Sequence, residues 1–425
     1  MTVTEEPPAA PASPASPAIP AFPFPHGPGV RPPERFAELP TESGLPRVRL
    51  SSGPQALLVG RHTDVRAVLG DDRFSREAFP GRPMFARTTS SLALAASDPP
   101  VHTHRRQAVA QEFTARQARL QTPRLREIAA DAVAALRGMS QPADLVEGFA
   151  VPFALRAITE LMGVPYEDGQ RLRPAMAAMM SFGSRTPDKV AAAHEEVHDY
   201  FAALVGRHQA EIMRGEPGAD LLTRLLAAPT SARERLSVEE LVVFAGGLLM
   251  AGFDTTANQL AMAALLVISD EALAAHLRSD PAAIGPALEE ILRWSSLIAT
   301  GGAAHVALED VELGDVVVKA GDVVVPLTDA ANQDPVVFDD PLRFDPARQT
   351  NPHLAFGHGR HYCLGAALAR AELRVGLAAL LDGFDDLRIA VPADDVPWRE
   401  GRFIRGPREL PVCWERGASS LPERS

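Results

Sequence analysis

The chain has 425 residues, 46% hydrophobic and 23% charged, the composition of a globular protein with length for roughly two to three domains or one large one. Its formal net charge of −12 argues against a general nucleic-acid binder, which needs clustered Lys and Arg to meet phosphates. Two cysteines, Cys363 and Cys413, give no disulfide framework and point to a reducing, cytoplasmic setting.

Residues 1–30 read as a Pro/Ala-rich arm, disordered or extended, with neither the basic start nor the unbroken apolar run of a secretory leader. From 31 to 425 no polar linker or internal repeat divides the chain, which predicts one domain, mainly α with a minor β region. Short β-like runs, RVRL at 47–50 and ALLVG at 56–60, come first. Helical periodicity follows over 102–114, 123–139, 153–163, 188–215 and 281–294. The apolar segment 241–268 is long enough to cross a bilayer, yet Asp254, Thr255, Thr256, Asn258 and Gln259 lie at its centre. A helix through the core of a soluble protein fits that pattern better. Alternation with Gly-Asp turns over 305–327 predicts hairpin strands. A Pro/Asp-rich meander then leads to FGHGRHYCLG, residues 356–365, and a final long helix.

Cys363 in that glycine-rich loop stands just before a helix N-terminus, whose unpaired N–H groups and dipole favour thiolate over thiol. By residue type alone the site could be an inert turn cysteine, a zinc site with His358 and His361, or a nucleophile beside a histidine base.

The stretch FGHGRHYCLGAALAR closely resembles the haem-binding loop of the cytochrome P450 family, and three further stretches follow in the family's order. The resemblance runs from about residue 40 to the C-terminus. It implies the cytochrome P450 fold, with haem b (iron protoporphyrin IX) between the long central helix and the cysteine-loop helix. Cys363 is then the axial thiolate to iron, with Phe356 and Gly365 shaping its loop. AGFDTT, 251–256, resembles the oxygen-activation segment, where a glycine and a hydroxyl bonding a carbonyl one turn back can open a helix. It assigns oxygen activation to Thr255 and proton relay to Asp254. EEILRW places Glu290 and Arg293 one turn apart; alone this is a weak surface pair, but beside the cysteine loop it resembles the family's structural Glu-x-x-Arg pair. DPPVHTHRRQ supplies His102 and Arg106, also one turn apart, and these with His361 match donors to a haem propionate. At two positions the chain departs from the family pattern: His305 stands where a propionate-binding Arg is common and is itself a candidate cofactor-binding donor to that propionate, and Gln333 stands where Arg is frequent.

The resemblance implies a soluble bacterial-type monooxygenase that takes electrons from a ferredoxin and ferredoxin reductase and inserts one atom of dioxygen into a small, largely apolar substrate. A secondary-metabolite hydroxylase is the expected role, with no membrane or nucleic-acid partner. Arg106 and Arg360 are candidates to receive an acidic ferredoxin, and Phe85, Leu94, Met250, Ala251, Leu297 and Ile298 to line the substrate pocket. Oxidative coupling of aromatic or cyclic-peptide substrates on the same centre, and a non-catalytic haem sensor, are the alternatives.

Overall fold

A computed structural model describes residues 19–79, 93–181, 186–228 and 235–415. The predicted helices are present, with shifted ends. The segment expected to start at Pro123 belongs to a longer helix, Ala115–Arg137, whose first turn is capped by Thr114 Oγ1 accepting from Gln117 N at 3.4 Å. Pro123 lies inside it, at the cost of one backbone hydrogen bond, because buried Leu125, Ile128, Ala129 and Val133 hold the helix in the core. Helix Tyr166–Met179 has no counterpart in the expectations and carries an internal Pro174 that interrupts the periodic pattern.

The central helix, Val238–Ile268, opens with a capping box in which Ser237 and Glu240 bond each other's backbone N–H. Its apolar length is consumed inside the protein, where it packs against helices Val151–Met162, Pro187–Met213 and Ala366–Gly383. These elements form the main core; fully buried Phe153 and Leu155 contribute about 1.5–3 kcal/mol each. Helix Ala366–Gly383 also lies along Ala115–Arg137, so the cysteine loop enters the fold between helices on more than one side.

The largest sheet is six-stranded, in the order Ala21–Phe22, Arg47–Leu50, Gln55–Val59, Val323–Pro326, His305–Ala307, Phe74–Ser75. The hairpin expected over 305–327 is nested: Val311–Leu313 pairs with Val316–Val318, while His305–Ala307 pairs antiparallel with Val323–Pro326 in the larger sheet. On its other side His305–Ala307 pairs antiparallel with Phe74–Ser75, with Phe74 opposite Ala307 and Ser75 opposite Val306.

The arm expected over 1–30 is corrected from residue 19 onward. Ala21–Phe22 forms a strand parallel to Arg47–Leu50, and Phe22 packs in a buried cluster with Phe36 and Leu58. Aromatic burial there overrides a Pro-rich composition that taken alone predicts no packing. Residues 1–18 lie outside the described segments.

Candidate active site

The cysteine loop is held by backbone. Cys363 N donates to Phe356 O at 2.8 Å and Gly357 N to Leu354 O at 2.8 Å. Gly357 and Gly359 have φ of +74° and +65°, and a Cβ on Gly359 would come within 2.4 Å of Leu69 O, so this turn admits glycine there and little else. Protein surrounds Cys363, yet the residue keeps exposed surface, as the wall of an internal space does. Burial pushes its thiol up, while the Gly365 N–H and the Arg106 and Arg370 guanidinium groups favour the thiolate. The sulfur thus takes its hydrogen bond from backbone at the N-terminus of helix Ala366–Gly383, not from an imidazole base. Arg370 lies over the Phe356 ring at 4.4 Å and pairs with both oxygens of Glu289 at 2.7 and 2.9 Å.

On the central helix Ala251 is exposed and Gly252, Asp254 and Thr255 are half-exposed, between buried Met250 and Thr256, so this face too opens on a space. Thr255 Oγ1 donates to Ala251 O at 2.5 Å, the back-bond expected one turn away. Asp254 Oδ1 accepts from Arg399 Nη1 at 3.1 Å and from Asn258 Nδ2 at 3.0 Å. The next residue, Thr256, points elsewhere, its hydroxyl donating to Glu372 Oε2 at 3.1 Å.

His102 and His361 come together with ring centroids 4.2 Å apart. Both nitrogens of His102, which is 2% exposed, and Nε2 of His361 are buried without a hydrogen-bond partner among the described residues. Burial, then the charge of Arg106, lowers the His102 imidazole to about 4; burial and Arg76 push His361 far below the ordinary range. Each of these neutral rings offers one N–H, and those donors, beside the charges of Arg76, Arg106 and Arg360, suit the carboxylates of haem propionates. With an accessible cysteine sulfur at a helix N-terminus, the residues fit haem. His305 is 2% exposed, with Nδ1 at 2.9 Å from Ala303 O and Nε2 at 3.1 Å from Arg76 Nε. The zinc alternative lacks ligands, since no three His, Cys, Asp or Glu side chains converge among the described residues.

Glu290 and Arg293, both with side chains 0% exposed, pair at 2.7 and 2.8 Å. Arg293 also donates to Asn332 O, Pro341 O and Arg343 O, while Glu290 accepts from Asp345 N, Arg348 Nε and Asn351 Nδ2. The pair thereby ties helix Ile284–Trp294 to the meander that leads into the cysteine loop. Gln333, where Arg is frequent in the family, is buried and donates to Asp329 O at 3.1 Å.

Among the candidate pocket residues, Leu94, Leu297 and Ile298 are half-buried and Met250 is a main-core residue at 5% exposure; Phe85 lies outside the described residues. Residues the sequence reading omitted are Arg76, Arg399, Glu372 and Arg370. The first two meet their partners across 229 and 145 positions, a distance at which no local pattern signals them. Beside Cys363, a cleft of about 1350 Å³ runs between helices Ala115–Arg137 and Ala366–Gly383. Arg106, Arg119, Arg126, Arg137, Arg370 and Arg374 line it, against the single carboxylate of Asp382.

A sequence profile described as Cytochrome P450 matches residues 154–281 and 285–413. The chain is 43% identical to nocardicin C N-oxygenase of Nocardia uniformis subsp. tsuyamanensis, over 89% of this chain and 94% of that one. It is 40% identical to the mycinamicin IV hydroxylase/epoxidase of Micromonospora griseorubida, over 89% and 95%. In three dimensions it is similar to the cytochrome P450 hydroxylase LnmA from the leinamycin biosynthetic pathway of Streptomyces atroolivaceus, with a TM-score of 0.84 at 39% identity, covering 93% of this chain and 100% of that one.

Proposed function

This chain belongs to the cytochrome P450 family and is a monooxygenase, and we propose that it hydroxylates a small, largely apolar secondary metabolite, with the Cys363 thiolate as the group that would hold the iron of haem b. The observation that carries this reading is the cysteine loop: a cysteine that keeps exposed surface while enclosed by protein, at a helix N-terminus, near imidazoles with nitrogens that have no hydrogen-bond partner among the described residues. When bound, haem supplies activation of dioxygen at the expense of two electrons and two protons.

The chain's own residues set up the rest. Phe356 and Gly365 fix the sulfur through Phe356 O and the Gly365 N–H. His102, Arg106 and His361 take propionate oxygens. On the central helix the Thr255 hydroxyl donates to Ala251 O and keeps its lone pairs for a proton donor, while Asp254, held between Arg399 and Asn258, is the residue for proton relay. Ala251, Leu94, Leu297 and Ile298 form the apolar wall against the substrate; Met250 supports it from the core. Glu290 and Arg293 hold the meander and so the loop.

Monooxygenases of this family receive electrons from separate redox proteins. Here the donor is an acidic ferredoxin served by its reductase, and the arginine-lined cleft beside Cys363 is its docking surface, with Arg106 inside it and Arg360 toward Asp72. Both cysteines are free thiols, in keeping with a cytoplasmic enzyme, and residues 31–425 with 19–30 added act as one domain.

A ferrous–CO spectrum of the purified protein tests the ligation: a red-shifted band is expected, and its absence refutes the thiolate. A screen of apolar metabolites for displacement of the distal water then selects substrates, and a product heavier by one oxygen atom distinguishes hydroxylation from coupling.

A further inference from the structure

His305 occupies the position from which a relative's arginine would reach a propionate, but its own ring is spent inside the protein. A carbonyl can only accept, so the 2.9 Å contact with Ala303 O makes Nδ1 the protonated nitrogen. Nε2 of the neutral ring is then an acceptor, and it receives the Nε–H of Arg76 at 3.1 Å. No ring N–H remains for an external carboxylate.

Sheet register explains the contact. Phe74 lies opposite Ala307 and Ser75 opposite Val306. Continuing that antiparallel register by one residue sets Arg76 across from His305, where cross-strand side chains meet. Asp98 fixes the backbone at this point: its carboxylate accepts from Ser75 Oγ, from Arg76 N at 3.1 Å and from Glu77 N at 3.4 Å. Like Cys363, Arg76 is enclosed by protein and still half-exposed, so it borders an internal space. Its Nε contact sets the guanidinium beside His305, and its charge also acts on His102 and His361, whose nitrogens include ones without a hydrogen-bond partner among the described residues.

We propose that Arg76, entering from the strand opposite His305, is the guanidinium that binds a haem propionate in this protein, and that His305 and Asp98 are positioning residues that aim it. A guanidinium contributed by the neighbouring strand replaces one absent at residue 305, and the planar fork suits a carboxylate better than an imidazole does. The inference rests on the haem-thiolate reading above.

The test uses ferric holoenzyme and measures haem transfer to excess apomyoglobin together with the propionate bending band in the resonance Raman spectrum. Arg76→Gln is expected to speed haem loss about tenfold to a hundredfold and to shift the propionate band. Arg76→Gln/His305→Arg, which returns a guanidinium from the other strand, is expected to restore both toward the parent. Parent-like haem loss in Arg76→Gln overturns the proposal, and so does faster loss with an unshifted band, the outcome of a merely structural role. If Arg76→Gln does not fold, His305→Ala carries the test: it removes the aiming contact, and parent values in both measurements refute the proposal. A parent without the red-shifted ferrous–CO band would sink the haem-thiolate reading itself, whereas a parent with the band and an indifferent Arg76 variant sinks only this inference.

Discussion

Glu372, on helix Ala366–Gly383, gives a prediction whose sign and size follow from its surroundings. The side chain is 3% exposed and its one hydrogen bond among those described is from Thr256 Oγ1 at 3.1 Å. Burial raises its carboxyl from 4.5 to about 8, only partly offset by the Thr256 hydroxyl. In the unfolded chain the same group ionises at its ordinary value. Between about pH 4.5 and 8 the native state therefore holds a proton that the unfolded state has lost, and stability falls as pH rises. The contribution is fully present below the unfolded pKa and is lost as pH climbs through the folded one. At about 1.4 kcal/mol per pH unit, the whole window spans at most about 4–5 kcal/mol.

Glu372→Gln keeps the neutral shape and the acceptor for Thr256 but cannot ionise. Its unfolding midpoint in urea, followed by far-UV circular dichroism on the ferric holoenzyme, should gain steadily on the parent from about pH 5 to 8. Asp329, which burial raises to about 7, titrates in the same window. It is present in both proteins, so it cancels in their difference. A difference between variant and parent that stays constant across this range refutes the argument.

Cys363→Ala should abolish the red-shifted ferrous–CO band, whereas Cys413→Ala, in strand Pro411–Cys413, should leave it intact. Thr255→Ala should retain haem and the band but cut product formed per electron pair by roughly tenfold or more, with hydrogen peroxide accounting for the difference; full coupling would remove Thr255 from proton handling. Glu290→Ala strands the 0%-exposed Arg293 guanidinium and should cost about 3–5 kcal/mol in denaturant unfolding, while Lys319→Ala, at an exposed pair with Asp310, should not move the midpoint measurably.

What the sequence made legible shares a physical feature: the information lies within a turn or two of chain. RVRL is the strand Arg47–Leu50. Glu290 and Arg293 lie on one face of one helix, and the loop around Cys363 depends on glycines within seven residues of it. Where tertiary packing overrules local preference, the reading fails. Pro123 and Pro174 sit inside helices because their apolar neighbours are buried, and the Pro-rich stretch 19–30 is ordered because Phe22 is.

The same division runs through the active site. The residues at 102, 106, 361 and 363 come from sequence motifs, and the structure brings His102 and His361 into ring contact. Arg399 reaches Asp254 from 145 residues away and Arg76 reaches His305 from 229, through a strand pair and a C-terminal loop that no short window contains. A substitution such as His for Arg at 305 therefore reads as a loss in one dimension. In the sheet it is a trade between opposite strands, because the register that puts Arg76 across from His305 delivers a guanidinium to the same corner of the site. Departures from a family motif are best judged against the residue that faces them across the pleat, since that neighbour can carry the missing group at no cost to the backbone.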